Sequence, residues 1–495
     1  MRAIESVLDR IEVVGNRLPD PVTLFVILIA IVFGISAIAA FAGLSAINPA
    51  TNEVIDAVNL FSSDIVRNIL VDMPKTFTNF PPLGTVLVAM IGVGVAEKSG
   101  LISVGLSSFV RKVSKPLLTY AVVFAGIMSS LAADAGYVVL VPLAGVLFSA
   151  AGRNPIAGIA AAFAGVSAGY SSNLLLTPLD ALLAGLTESS GRILDPDLIV
   201  PMTANYYLMI ALVPLFVVIG AWITDKLIEP RLPLPNDSHA DHRNHSLLEK
   251  EQARGLRWVI WTALTFLVGV LLITLPDGAP LRDSQGGYAP LLNSLVSLIS
   301  MGFLSIGIAY GIGAKTIRND KDVVNMASES MSDMGLYLIL AFVAAHFIVF
   351  FSWSNLGIIL AINGAEVIRA TGLSGTALVV LLIALSGFLN LFIGSASAKW
   401  ALIGPVLVPM FMLVGVAPEL TQAAYRIGDS VTNIITPLMP YLPMVLVFAR
   451  RYDKSFGIGG LIATMLPYSV AFGIGSSVLL VIWMLVGVPL GPGLG

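Results

Sequence analysis

Apolar residues run along this chain in long blocks. They do not follow the three-and-four spacing of a surface helix or the alternation of a half-buried strand. A bilayer core takes about 20 apolar residues per helix. Blocks of that length predict membrane spans near 21–44, 82–98, 156–186, 205–225, 258–275, 290–312, 334–352, 419–449 and 458–486. Two more blocks, 117–151 and 376–415, are too long for one crossing and are broken in the middle. Each predicts a re-entrant hairpin that returns to the side it came from. The pattern therefore specifies an all-α polytopic membrane protein with about nine transmembrane helices and two re-entrant hairpins. Outside the blocks, Ile4, Val7, Leu8, Ile11 and Val14 follow helical spacing, which suits a helix lying on the membrane surface. Residues 45–80 are polar with a few apolar anchors and are expected at the outer surface, and 229–257 reads as the one long soluble linker.

Positive charge orients this arrangement, because short cytoplasmic loops collect Lys and Arg. Arg2, Arg10 and Arg17 precede the first block; Arg111, Lys112 and Lys115 follow the second; Arg153 follows the first hairpin. Lys226, Arg231, Arg243, Lys250, Arg254 and Arg257 fall in the linker region, Lys315, Arg318 and Lys321 after the sixth span, and Arg450, Arg451 and Lys454 after the eighth. With the amino terminus in the cytoplasm and each hairpin counted as no crossing, all of these lie inside. The opposite loops hold only Arg67, Lys75, Arg192, Arg282 and Arg369.

A faint repeat accompanies this topology. Pro142 and Pro155 match Pro405 and Pro418 at an offset of 263, which also brings Asp134 to Ser397, Tyr137 to Trp400 and Phe163 to Arg426. Asn173, Thr177 and Pro178 nearly match Asn433, Thr436 and Pro437, a few residues out of register. The expected organisation is a first inverted repeat over 1–225 with its hairpin at 117–151. A cytoplasmic linker and connecting helix occupy 226–289, and a second repeat occupies 290–495 with its hairpin at 376–415. Inverted repeats with broken helices are a secondary-transporter signature.

Composition narrows the function. Of 495 residues, 57% are hydrophobic and 12% charged, with mean hydropathy +0.90, far from a soluble domain. The chain has no cysteine, which excludes disulfides and thiolate sites, and its net charge of −3 gives no reason to expect a nucleic-acid partner. Glu5, Asp9, Glu12 and Asp20 make an acidic lead-in unlike that of a cleaved signal. No phosphate-binding P-loop is present, which argues against ATP-driven transport by this chain alone.

The chemistry concentrates between Leu385 and Pro437. Gly394-Ser395-Ala396-Ser397 interrupts one apolar run; the next starts at Pro418 and carries Arg426, Asp429 and Asn433 before breaking at Thr436-Pro437. Broken backbone at membrane depth needs a protein or watery cavity to satisfy it, and ionisable residues there mark a substrate or ion path. Arg426 and Asp429 are three apart and Asn433 four further on, so they share a helix face. They form either an internal ion pair or part of a site. Carbonyls at the hairpin tip with a carboxylate and amide oxygens suit a hard cation, so Asn390, Gly394, Asp429 and Asn433 are the candidate cation ligands, for Na+ as coupling ion; H+ is the alternative. Asp180 and Asp134 are carboxylates that could take up protons, and Ser129, Ser130, Asn173, Thr177 and Ser397 are secondary polar candidates. Trp400 either anchors the interface or stacks on a planar substrate. His239, His242 and His245 have metal-like spacing in what reads as a solvated linker. The GSAS tip also resembles the serine motif of rhomboid proteases, with Lys399 the only local base.

GSASAKWALIGPVLVPMF, GVAPELTQAAYRIGDSVTNIITPLMPY and GYSSNLLLTPLDALLAG together resemble the AbgT family of bacterial p-aminobenzoyl-glutamate transporters, and the resemblance extends over the whole chain. It implies a bowl-shaped homodimer in the inner membrane, with nine helices and two hairpins per subunit, and no enzymatic activity. Uptake of p-aminobenzoyl-glutamate or export of sulfonamide-type antimetabolites would be the function. Asp180, Trp400, Pro418 and Arg426 would lie around the substrate path. Ahead of an intramembrane enzyme or a membrane scaffold, the alternative is a sodium-coupled dicarboxylate symporter. Those proteins carry Ser-Asn-Thr tips, whereas here Ser172-Asn173 is followed by Leu174 and Thr432-Asn433 by Ile434.

Overall fold

The computed structural model describes residues 21–47, 53–111, 113–132, 136–232, 250–283, 287–436, 439 and 441–492. The expected surface helix at 4–14, Asp134, Pro437 and the histidines at 239–245 lie outside the described residues. The first half runs through α1 (Pro21–Phe41), a two-stranded antiparallel sheet of β1 (Ser45–Ile47) and β2 (Val54–Asp56), α2 (Ser63–Thr78), α3 (Pro81–Lys98) and α4 (Leu101–Arg111). It continues with α5 (Leu118–Met128), α6 (Val141–Ala150), α7 (Pro155–Phe163), α8 (Pro178–Gly191) and α9 (Tyr206–Ile223). The second contains α10 (Lys250–Leu272), the short α11 (Ala289–Asn293), α12 (Leu295–Ala314), α13 (Asp320–Asp333), α14 (Gly335–Trp353) and α15 (Leu356–Thr371). Then come α16 (Gly375–Asn390), α17 (Ala396–Leu413), α18 (Pro418–Thr432), α19 (Leu442–Arg450) and α20 (Ile458–Val486). Among the described residues eight helices are long and apolar enough to cross a bilayer, or nine if α15 and α16 count as one broken span.

Both long apolar blocks are broken where the sequence breaks them. α5 gives way to a 3-10 turn over Ser129–Ala132, and a π turn over Gly136–Leu140 leads into α6 at Val141. The ends of this block meet: Arg153 Nη1 donates to Thr119 Oγ1 at 2.7 Å, and the same guanidinium reaches Asp225 at 2.6 Å just beyond α9. The second block is interrupted at 391–395, where Ser395 Oγ accepts from Ala398 N to open α17. Its ends also meet: a Cβ at Gly375 would lie 3.7 Å from Val416 Cγ2, and Arg369, on α15 just before the block, donates to the carbonyl of Leu413.

Three segments depart from the sequence expectation. The span expected at 156–186 is two helices. α7 loosens into π and 3-10 turns over Ala164–Ser171, the backbone extends through Thr177 (φ −117°, ψ 163°), and Pro178 opens α8. The span expected at 419–449 divides into α18 and α19. α15 has no counterpart among the expected spans, because Asn363, Glu366 and Arg369 break its apolar run; it meets α16 at a 116° bend, with Gly372 left-handed at φ +66°. The polar stretch 45–80 holds the small sheet and α2.

The packing of the two halves is alike at two points. Helices α5 and α7 cross at glycines: a Cβ at Gly165 would lie 2.5 Å from the Val123 carbonyl oxygen. α16 and α18 cross the same way, with a Cβ at Gly428 falling 2.2 Å from the Ile383 carbonyl oxygen. Asn173 bonds Ser130 and Asn433 bonds Asn390, partners 43 residues apart in both halves. Gly165 matches Gly428 at the expected offset of 263, but Asn173 matches Asn433 at 260. The three extra residues of the first half fit within its π and 3-10 turns.

Candidate functional site

Helix α18 is amphipathic by sequence yet enclosed: every residue from Thr421 to Val431 is buried. α16 lies against it at Gly428, α17 and α8 pack on it from other sides, and the broken end of α7 touches it through Ser171 Oγ, which donates to Arg426 O at 3.1 Å. Polar groups inside such a bundle must find partners there, because an unpaired buried charge is costly.

The described residues bury four Asp, Glu, Lys or Arg side chains: Asp180, Lys399, Arg426 and Asp429. They form two ion pairs, neither of them the Arg426–Asp429 pair suggested by helical spacing. Arg426 Nη1 lies 2.7 Å from Asp180 Oδ1, and Lys399 Nζ lies 2.6 Å from Asp429 Oδ1. The two charges of α18 project toward different neighbours, Arg426 toward α8 and Asp429 toward the α16–α17 turn. Asp180 is fixed by its other oxygen, which accepts from Thr177 N at 2.6 Å and Thr177 Oγ1 at 2.8 Å in a capping box at the start of α8. Removing one partner of such a pair costs about 3–5 kcal/mol.

Arg426 is only partly satisfied. Its Nε and Nη2 are buried and make no hydrogen bond. These two nitrogens form one edge of the guanidinium, the edge that grips a carboxylate with two parallel bonds. Deeply buried donors are rarely left unpaired, so this edge is built to receive an acceptor. A small cavity lined by Ser171, Asn205, Met209 and Ala423 opens beside Arg426.

The other sequence candidates fall into place around this pair. Asn390, Asp429 and Asn433 come together: Asn390 Nδ2 donates to Asp429 O at 2.8 Å and Asn433 Oδ1 at 2.8 Å, while its Oδ1 accepts from Lys399 Nζ at 2.6 Å. Gly394 lies in the adjoining turn, next to Ile393, whose carbonyl is 3.5 Å from Lys399 Nζ. Pro418 starts α18, about two turns before Arg426. In the first half, Asn173 Nδ2 donates to Ser130 Oγ at 2.9 Å, and Ser129 Oγ donates to the Gly126 carbonyl at 2.6 Å. Ser397 Oγ lies 3.5 Å from Ser395 Oγ. Lys399, the base a serine protease would need, is engaged with Asn390 and Asp429.

Trp400 has no exposed surface and stacks on Tyr425 at 4.3 Å between centroids, so in this conformation its face already has a partner. Its Nε1 donates to Thr187 Oγ1 at 2.9 Å, and Gln422 Oε1 is 2.6 Å from that hydroxyl. Gln422 Nε2 donates to Asn205 Oδ1 and Asn205 Nδ2 to the Glu419 carbonyl, both at 2.8 Å. This buried chain ties α17, α8 and α18 to the start of α9. Sequence reasoning missed Thr187, Gln422 and Asn205 because each is a single uncharged residue; the available signal was a polar residue inside an apolar block.

Comparisons with known proteins bear on the family and the fold. Residues 6–495 match the family described as "AbgT putative transporter family". The p-aminobenzoyl-glutamate transport protein of Escherichia coli (strain K12) is 34% identical over 487 residues, covering 98% of this chain and 96% of that one. The solved structure of the Alcanivorax borkumensis YdaH transporter, described as having an unusual topology, is 45% identical with a TM-score of 0.92, covering 96% of this chain and 100% of its own. That of Neisseria gonorrhoeae MtrF, described as illuminating a class of antimetabolite efflux pumps, is 43% identical with a TM-score of 0.93, covering 99% and 100%.

Proposed function

The chain belongs to the AbgT family of membrane transporters, and from that premise we propose that it carries p-aminobenzoyl-glutamate, with sulfonamide-type antimetabolites as a second class of cargo, across the bacterial inner membrane. The observation that carries the substrate class is the unpaired Nε–Nη2 edge of Arg426, inside the protein and beside a cavity. A carboxylate is the acceptor that fits a guanidinium edge with two bonds, and p-aminobenzoyl-glutamate carries two carboxylates. The names of the Escherichia coli and Neisseria gonorrhoeae relatives supply the rest of the chemistry.

Coupling to a cation, Na+ or H+, belongs to the same proposal. It is supported by the charge balance among the described buried residues, where two cationic and two anionic side chains cancel. A substrate carboxylate entering that balanced set brings an uncompensated negative charge, and a cation travelling with it restores the balance. The proposed organisation is two inverted halves, 1–225 and 290–495, joined by 226–289, with hairpins at 117–151 and 376–415 and a cytoplasmic amino terminus. The meeting ends of both apolar blocks and the distribution of Lys and Arg favour it. A homodimer follows from the family resemblance. α10, with Ile260, Trp261 and Leu272 exposed, leaves an apolar face for lipid or a second copy.

The decisive measurement is flux of labelled p-aminobenzoyl-glutamate and of a sulfonamide in proteoliposomes, with Na+ and pH gradients imposed separately. Absence of gradient-dependent flux of both compounds would overturn the proposal.

A further inference from the structure

Lys399 is the only lysine buried among the described residues, with no exposed surface, and its ammonium sits inside the oxygen cluster that the sequence suggests for a free cation. Nζ donates to Asn390 Oδ1 at 2.6 Å, lies 2.6 Å from Asp429 Oδ1 and 3.5 Å from the Ile393 carbonyl, and is 5.7 Å from the centroid of the Tyr425 ring. Asn390 cannot turn away, because its Nδ2 is committed to Asp429 O, Thr432 Oγ1 and Asn433 Oδ1 at 2.8–2.9 Å. The amide oxygen is therefore aimed at the ammonium. The broken turn supplies a carbonyl and α18 the carboxylate. A sodium ion in this cluster would need the same carboxylate and amide oxygens.

We infer that Lys399 is a tethered cation that fills this site, so that the Asn390–Asp429–Asn433 cluster excludes free sodium as long as the lysine occupies it. The fit of the residues to sodium is poor for a physical reason. Asp429 is already neutralised at contact distance, and a second positive charge would face the ammonium through a few ångströms of protein interior. Lys399 thus sets the ion specificity of the site. The three-way contact holds the α16–α17 turn against α18, so displacing the ammonium frees the turn and the carboxylate together. The corresponding position of the first half cannot supply such an occupant: at the offset of 263 that relates Pro142 to Pro405 and Tyr137 to Trp400, Lys399 corresponds to Gly136. The inference rests on the site geometry and is independent of which substrate is carried.

The test is binding of radiolabelled sodium to the purified protein, alongside thermal unfolding in sodium and in N-methylglucamine chloride. The unaltered protein is expected to show no saturable sodium binding at this cluster and the same melting temperature in both salts. Lys399→Met, which keeps the length of the stem and removes the charge, is expected to gain saturable sodium binding and a sodium-dependent rise in melting temperature. Both gains are expected to vanish in Lys399→Met/Asp429→Asn, and Lys399→Arg should remain unresponsive. A folded Lys399→Met that binds no sodium would overturn the inference. So would saturable sodium binding to the unaltered protein that Asn433→Ala weakens; that titration decides alone if Lys399→Met fails to fold. Substrate flux is not a readout, so a failure of the transport proposal leaves this result interpretable.

Discussion

Arg426→Lys is the sharpest perturbation of the proposed substrate site. The native guanidinium divides its work: Nη1 faces Asp180 at 2.7 Å, while Nε and Nη2 are buried and unbonded. A lysine keeps the positive charge and can still neutralise Asp180, so the fold is spared the loss of about 3–5 kcal/mol that follows when a buried pair is broken. What it cannot do is present two further parallel donors to a ligand. A hydrogen bond to a charged group contributes about 1.5–3 kcal/mol. Losing one of the two therefore weakens binding of a carboxylated ligand by roughly 10- to 150-fold, at about 1.4 kcal/mol per decade.

The assay is equilibrium binding of p-aminobenzoyl-glutamate and of a neutral sulfonamide to detergent-purified protein, with folding checked by size exclusion and melting temperature. The carboxylated ligand should lose affinity by that factor and the neutral one by much less. Arg426→Ala should weaken the carboxylated ligand further, with an added stability loss because Asp180 is then unpaired. Equal losses for both ligands in Arg426→Lys would refute the reasoning and reduce Arg426 to a structural partner of Asp180.

Other consequences follow from the packing. Gly428→Ala and Gly165→Ala should each destabilise the protein by about 1–3 kcal/mol or more in chemical or thermal unfolding, because the new methyl would meet a backbone carbonyl at 2.2 or 2.5 Å. Gly34→Ala, with nothing within 4 Å, should not. Thr187→Val keeps the shape but leaves the Trp400 indole N–H without its acceptor, and should cost about 1–3 kcal/mol. The chain has no cysteine, so Lys115→Cys and Ala150→Cys are clean labelling probes. Both should react with an impermeant maleimide from the cytoplasmic side, and labelling from opposite sides would make 117–151 a crossing instead of a hairpin.

Much of the architecture was legible because hydrocarbon imposes a simple rule on sequence: long apolar blocks, broken only where something else satisfies the backbone. The breaks at 129–140 and 391–395, and the cluster of Asn390, Asp429 and Asn433, follow from that rule. α15 was not legible, because Asn363, Glu366 and Arg369 give it the composition of a loop, and its helical state depends on packing against α17. Charge pairing was not legible either. Spacing of three along α18 puts Arg426 and Asp429 on neighbouring faces, but only the fold brings Asp180 from α8 and Lys399 from α17 within 2.7 Å of them. The register of the repeat was half legible. The prolines give 263, and the three residues absorbed by the π and 3-10 turns of Ala164–Ser171 hide the 260 that relates the asparagines.

The two halves share a backbone plan but not their chemistry. Each crosses two helices at a glycine and, past that crossing, bonds an asparagine to a polar residue at the broken end of the facing helix. At the offset of 263 the positions that correspond to Arg426 and Lys399 are Phe163 and Gly136, neither of them charged, and among the described residues both buried cations belong to the second half. Among the described residues the first half buries one charged side chain, Asp180. The Arg426–Asp180 pair therefore spans the junction between the halves, whereas Lys399–Asp429 closes within the second. A ligand that draws Arg426 away from Asp180 loosens the contact between halves, and one that displaces Lys399 loosens only the hairpin turn. On the proposed function, substrate at Arg426 would change how the halves sit on each other, which is the movement that alternating access requires of the inverted repeats proposed above.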